Sequence, residues 1–390
     1  MTEKQHIYLD NSATTRICKE ALDKYVEASL EVYANPSSLH SEGVRAEKLI
    51  DEARRAVLSS LGERDSTVIF TASGSEANNL AIIGRANAKA RFQKKKIITA
   101  LGEHASVTEP LAALKAAGFN VVAIPTTSGK LDTGALLTEL TPDVILVSLM
   151  MVNNETGALY DTAWVKKMMV ERCPEALLHV DATQSYMKVK FTKKSSGADM
   201  ITLSSHKIEG PKGVGALVVD NKIIKSRGLI PQILGGGQEY GFRSGTENVP
   251  AIAAFGVAVN RGVKLLDGNI SKMRQLREYL IDKLTRELPE ITITNPERSA
   301  PHILNITLPN IKSETALHYL SSLGIFVSSG SACSSNSAHT SGALLAYGRS
   351  AVEADSSIRI SFCPENTERE VDALCDGLAS ALLRLVRFGR

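Results

Sequence analysis

Apolar and polar positions along the chain alternate between two periods. Leu22, Val26, Leu30 and Tyr33 recur at helical spacing, as do Leu49, Ala53, Val57 and Leu61 further on. Each set predicts an amphipathic helix with its apolar stripe turned inward. Between helical stretches come short unbroken apolar runs at 68–70, 97–99, 121–124, 144–148, 177–180, 200–203 and 215–219. Strands buried on both faces read in this unbroken way, and helices between them form crossovers. The pattern predicts an α/β unit with a mainly parallel central sheet. Beyond about residue 260 it changes to a long charged helical stretch, strands at 291–293 and 303–308, a helix at 314–323, strands at 325–328 and 357–362, and a last helix at 367–386. We therefore expect a large domain at 19–259 and a smaller α+β domain formed by 1–18 and 260–390.

A chain of 390 residues has room for one large and one smaller core. Its 45 basic and 42 acidic residues leave a net charge of +3, which gives no argument for a nucleic-acid or membrane partner. The Lys94, Lys95, Lys96 run reads as a solvated helix end before the strand at Ile97. The cysteines are Cys18, Cys173, Cys333, Cys363 and Cys375, an odd number with no C-x-x-C spacing. That excludes an evident zinc knuckle, a thioredoxin motif and a secreted disulfide framework. The start, MTEKQHIYLD, has no apolar core of a signal peptide, and no apolar run approaches the roughly 20 residues of a membrane span. A reducing cytoplasm is the expected compartment.

Candidate chemistry falls in loops that follow strands, where α/β sheets carry their sites. TASGSEANN, after the strand ending at Phe70, offers Gly74 for a tight turn and Ser75 at a helix start, where free amides suit a phosphate. A Ser-Glu pair there is also ordinary helix capping. HVDATQ presents Asp181 at a strand end, able to pair with a cationic ring nitrogen, with Gln184 one turn on; Asp181 could equally cap the next turn. SSHKIEGPKGVG supplies hydroxyls, an imidazole and the amine of Lys207, followed by glycines. A desolvated lysine beside another cation becomes a nucleophile for an aldehyde, whereas Lys212, inside the turn, is structural or steers phosphate. Together these pieces describe a pyridoxal phosphate site. The segment SSGSACSSNSAHTSG, 328–342, sets Cys333 in serine, glycine and alanine, a composition that predicts a mobile surface loop with an exposed thiol. On its own it reads as an idle connector.

The chain resembles the cysteine desulfurases of the NifS/IscS branch, class V pyridoxal-phosphate-dependent aminotransferases of fold type I. The resemblance runs nearly end to end through YLDNSATT, NPSSLH, TASGSEANN, EHASV, VNNETG, HVDATQ, SSHK with GPKGVGAL, GGGQE, RSGTEN, SSGSAC and SSIRISF. It implies that Lys207 carries the cofactor as a Schiff base, Asp181 holds the ring-nitrogen proton, and His104 stacks on the ring and moves protons. It further implies that Asn154 and Gln184 contact the ring, that Gly74, Ser75, Ser204 and His206 bind the phosphate, and that Thr246 reaches in from the partner of a homodimer. Arg359, helped by Asn35, clamps the substrate carboxylate, as a guanidinium does well.

The implied reaction converts L-cysteine to L-alanine, with Cys333 taking the sulfur as a persulfide and passing it to an acceptor for iron-sulfur cluster assembly or tRNA thiolation. Other readings are a selenocysteine lyase or another class V lyase or aminotransferase, and a non-catalytic sulfur-relay protein. Cys333 argues against the former and Lys207 against the latter. Three departures from the family pattern stand out: Ser75 for threonine, Glu209 for an aromatic, and His339 with Thr340 for Glu-Pro. We also expect the chain, ending at Arg390, to lack the C-terminal extension some members use to dock an iron-sulfur scaffold.

Overall fold

Two larger sheets of different construction, with a two-stranded parallel pair beside the smaller one, organise the described residues. The computed structural model describes residues 6–90, 95–329 and 340–385. The chain opens with β1 (Ile7–Tyr8), α1 (Lys19–Glu31) and α2 (Ser41–Ser60), then alternates: β2 (Ser66–Thr71), α3 (Gly74–Lys89), β3 (Lys96–Ala100), α4 (Ala105–Ala116), β4 (Asn120–Ile124), α5 (Thr133–Glu139), β5 (Val144–Met150) and α6 (Thr162–Arg172). It continues with β6 (Leu177–Asp181), α7 (Lys193–Ser196), β7 (Met200–Ser204), β8 (Gly215–Asp220), α8 (Asn221–Lys225) and the long α9 (Val249–Glu287). The remainder is β9 (Thr292–Thr294), β10 (Ile303–Thr307), α10 (Ser313–Ser322), β11 (Ile325–Phe326), β12 (Ser328–Ser329), α11 (Gly342–Tyr347), α12 (Ala351–Asp355), β13 (Ser357–Ser361) and α13 (Glu368–Arg384).

The large sheet runs in the order β2, β8, β7, β6, β5, β3, β4. All neighbours pair parallel except β8, which is antiparallel to β2 and β7. Every apolar run predicted as a strand is one, because strands such as β5, buried at all seven positions, need apolar side chains on both faces. Since β8 alone is reversed, the carboxyl ends of β2, β3, β5, β6 and β7 share one edge. The second sheet, β12, β13, β10, β9, is antiparallel, and β1 pairs with β11 beside it.

Two further expectations need correction. The stripe Leu22, Val26, Leu30 and Tyr33 on α1 faces outward; Tyr33, just past the helix, is 82% exposed, and the buried positions of α1 are Ala21 and Ala28. Lys96 is no solvated helix end: it lies buried in β3 with its Nζ 2.6 Å from Glu139 Oε2. In α9, the stretch from Val249 to Val259 joins the large core, while Met273, Leu276, Leu280 and Leu284 join the small one. By length and composition this helix could pass for a membrane span, yet it is the shared spine of two cores.

Candidate active site

Five loops leaving the common edge of the large sheet converge on a cavity of about 250 Å³. After β2, Ser73 caps α3 by accepting from the Glu76 amide at 3.1 Å, and Glu76 Oε2 accepts from the Ala72 amide. The cap is thus Ser73, not Ser75, and the Gly74 and Ser75 amides, with no acceptor inside the helix, lie at the cavity wall. After β3, His104 caps α4: its Nδ1 accepts from the Ser106 amide at 3.1 Å and lies 2.8 Å from Ser106 Oγ. Burial holds its pKa below the ordinary histidine value, assisted by the Lys207 and Arg359 charges and opposed by Asp181. A neutral ring accepting at Nδ1 carries its proton on Nε2.

Asp181, at the end of β6, accepts from the Thr183 amide through Oδ1 and from Asn78 Nδ2 through Oδ2, at 2.9 and 2.8 Å. Asn78 Nδ2 also donates to Ser106 Oγ at 2.8 Å, so one amide links the acid to the histidine's support. Gln184 Nε2 donates to the Ser12 carbonyl at 2.9 Å. After β7, Lys207 Nζ donates to the carbonyls of Ser12 and Ala13 at 2.6 and 2.7 Å, which fixes the amine at the cavity floor. His206 Nδ1 sits 3.1 Å from Thr14 Oγ1, and burial with the neighbouring Lys207, Lys212 and Lys188 charges pushes its pKa down to about 4.

Arg359, on β13 and only 4% exposed, crosses from the second sheet. Its Nη2 donates to Asp10 Oδ1 at 2.8 Å and its Nη1 to the Asn154 carbonyl at 3.0 Å, while Nε is buried with no partner among the described residues. It is therefore neither a surface ion pair nor an unengaged fork.

Of the residues singled out in the sequence, Gly74, Ser75, His104, Asn154, Asp181, Gln184, Ser204, His206, Lys207 and Arg359 all line this cavity. Asn35 and Thr246 do not: Asn35 is exposed, its Oδ1 accepting from the Ser37 amide, and exposed Thr246 lines a separate pocket with Arg243 and Asn248. Lys212 is exposed on a different pocket, behind the site. Cys333 and His339 lie outside the described residues. Asn78, Ser106 and Asp10 went unassigned from sequence, although each falls in or beside a quoted motif.

The cavity fits pyridoxal phosphate by its donor chemistry. A Cβ added to Gly74 would stand 3.2 Å from Ser204 Cβ and from Thr183 Oγ1, so glycine leaves a cradle that a side chain would crowd. The start of the 16-residue α3, with Ser75, Ser204 and neutral His206, suits a phosphate. Asp181 suits a cationic ring nitrogen, and Lys207 an aldehyde.

The family described as Aminotransferase class-V matches residues 7–374. A cysteine desulfurase of Nostoc sp. is 36% identical over 381 residues, covering 97% of this chain and 93% of the relative. A structure titled NifS-like protein superposes with a TM-score of 0.90 at 34% identity, covering 98% of this chain and all of that one. Another, titled SspA in complex with cysteine, gives a TM-score of 0.80 at 31% identity over 93% of this chain and 100% of the other.

Proposed function

The chain belongs to the class-V aminotransferase family, and from that membership we propose that it is a pyridoxal-phosphate-dependent L-cysteine desulfurase, forming L-alanine and a persulfide on Cys333. The observation that carries this reading is the single cavity uniting Lys207, Asp181, His104, Gln184 and Arg359 with the start of α3.

The cofactor, when bound, supplies an electron sink for the substrate's α-carbon. Ser75, Ser204, His206 and the Gly74 amide would hold its phosphate, Asp181, steadied by Asn78, would pair with its ring nitrogen, and Gln184 and Asn154 would contact its ring. Lys207, aimed by two backbone carbonyls, takes the α-proton. His104, kept neutral by burial and braced by Ser106, moves protons on the other side. Arg359 takes the substrate carboxylate, exchanging part of its contact with Asp10 and Asn154 for it. The Cys333 thiolate then attacks the substrate sulfur: an S–S bond forms, the C–S bond breaks, and its electron pair stays on the departing three-carbon unit.

The flanks of the cysteine segment support this role. Ser328 stands opposite Arg359 in the β12–β13 ladder, and Ser341 Oγ donates to Glu155 Oε2 at 2.5 Å, next to Asn154. The outward apolar stripe of α1, and Thr246 exposed away from its own chain's cavity, support a homodimer in which Thr246 and Asn35 serve the partner's site. A persulfide-carrying thiol belongs in a reducing cytoplasm, with an iron-sulfur scaffold or tRNA-thiolation protein as sulfur acceptor.

Incubation of the purified protein with L-cysteine tests the reading. Equimolar alanine and one added sulfur on Cys333 by mass spectrometry are expected, with borohydride fixing the cofactor on Lys207. Undiminished alanine formation by Cys333→Ala, or added sulfur on Cys363 or Cys375 instead, overturns the assignment.

A further inference from the structure

Lys207 borders two spaces. Besides the reaction cavity it lines a narrow one of about 30 Å³ on its rear side, shared with Lys188, Glu209, Arg261 and Cys363. Glu209, Arg261 and Cys363 also line a wider pocket of about 770 Å³, whose other wall includes the exposed Lys19 and Glu20. Shared lining residues set the three spaces in order along one path, with Lys207 between the reaction cavity and the narrow space, and Glu209, Arg261 and Cys363 between the narrow space and the wider pocket.

Lys188 stands at the middle of this path in an unusual state. It is 6% exposed, and its Nζ is buried with no hydrogen-bond partner among the described residues. An amine so placed is strongly disfavoured if charged and dry, whereas a methionine would fill the same volume at no such cost. Burial foremost, then the Lys207 charge, pushes its pKa down to about 7. The groups facing it are Lys207 and Glu209 from the turn after β7, Arg261 from α9, Arg359 in the middle of β13, Cys363 just beyond that strand, and the histidines His206 and His302. A space of about 30 Å³ has room for a water or two, which a buried polar amine retains.

We propose that Lys188 is a positioning residue acting through Lys207, exchanging the proton of Lys207 with solvent along this rear path. The proposal rests on the desulfurase reading above. The α C–H bond of the substrate breaks and its proton forms an N–H bond on Lys207 Nζ. Lys207 passes one proton through water to neutral Lys188 Nζ, and Lys188 releases one past Glu209 to water in the wider pocket. No electrons are transferred, and a solvent proton returning the same way restores both amines. Glu209, ion-paired with Arg261, gives the outer end of the path an acceptor where the family usually has an aromatic.

The test follows the label rather than the rate. Holoenzyme is given L-cysteine deuterated at the α-carbon in ordinary water, and the deuterium retained in the alanine is measured by mass spectrometry for wild type, Lys188→Met and Lys188→Arg. Solvent exchange at Lys207 removes label before it returns to carbon, so wild type retains little, and less at pH 8 than at pH 6. Neither methionine nor a permanently charged arginine relays a proton, so both variants are expected to retain at least threefold more, with a flat pH profile. Slower turnover alone does not raise retention. Wild-type retention in either variant overturns the relay, while a wild type that forms no alanine overturns the desulfurase reading instead.

Discussion

Gly215→Ala probes how firmly the phosphate end of the cavity is built. Gly215 opens β8 opposite Thr71 of β2 and Ser204 of β7. A Cβ there would lie 2.5 Å from the Ser73 carbonyl carbon, 2.7 Å from the Gly74 nitrogen and 2.8 Å from the Ser73 oxygen. All three are backbone atoms of the turn that caps α3, and no side chain can swing away to make room. Ordinary contact begins at 3.4 Å, so the turn must retreat by the 0.9 Å between 2.5 and 3.4 Å. Overpacking of this kind costs about 1–3 kcal/mol of stability. A shift of that size also spoils at least one charge-assisted hydrogen bond to the phosphate, worth about 1.5–3 kcal/mol, or roughly ten- to hundredfold in affinity. The assay titrates the apoenzyme with pyridoxal phosphate and with pyridoxal, following the visible absorption of the lysine adduct. Affinity for the phosphorylated form should fall by at least tenfold and that for pyridoxal far less. Equal losses for both, or phosphate-form binding within twofold of wild type, would refute the reasoning.

Arg54→Met should destabilise by about 3–5 kcal/mol, because it strips both guanidinium bonds, 2.8 and 2.9 Å, from buried Glu239 and leaves only the Phe70 amide. Burial already holds the Glu239 pKa above its ordinary value, and losing the arginine raises it further. The native state then binds more protons than the unfolded chain above the ordinary carboxylate range, so stability declines with rising pH. Urea denaturation should show a larger deficit at pH 8 than at pH 5.5, and a pH-independent deficit would contradict this account. Asn78→Ala removes the donor shared by Asp181 and Ser106, and should lower kcat about tenfold or more at full cofactor occupancy; an unchanged kcat would show the bridge to be idle.

Six strands of the large sheet are legible in the sequence because burial on both faces leaves an unbroken apolar run, and the edge strand β4, buried only at Ile124, is legible from its apolar side chains alone. Their direction is not, and the reversal of β8 emerges only from pairing. The α1 stripe misleads because periodicity identifies a face without its destination: the close approach to the core is made by Ala21 and Ala28, leaving the larger side chains outside. Lys96 misleads in the same way, since its partner Glu139 lies 43 positions on. Motif order locates most of the cavity wall, whereas Asn78, Asp10 and Lys188 acquire meaning only from neighbours distant in the chain, such as the Asp10–Arg359 pair. Asn35 and Thr246, named from motifs alone, lie outside the cavity of this chain, Asn35 exposed with its Oδ1 on the Ser37 amide and Thr246 on a separate pocket.

The 39 residues of α9 make a rod about 58 Å long. At that length a change of axis of about 1° carries the far end through roughly 1 Å, with no loss of helical hydrogen bonds. One end is gripped by the core that seats Lys207, the other by the core whose sheet bears Arg359. The helix is thus a common rod to which both sides of the cavity wall are tied, Lys207 through one core and Arg359 through the other. Between the two grips that rod is closely held, where Gly262 lies against Met187, the neighbour of Lys188, and a single Cβ would come 2.8 Å from the Met187 side chain.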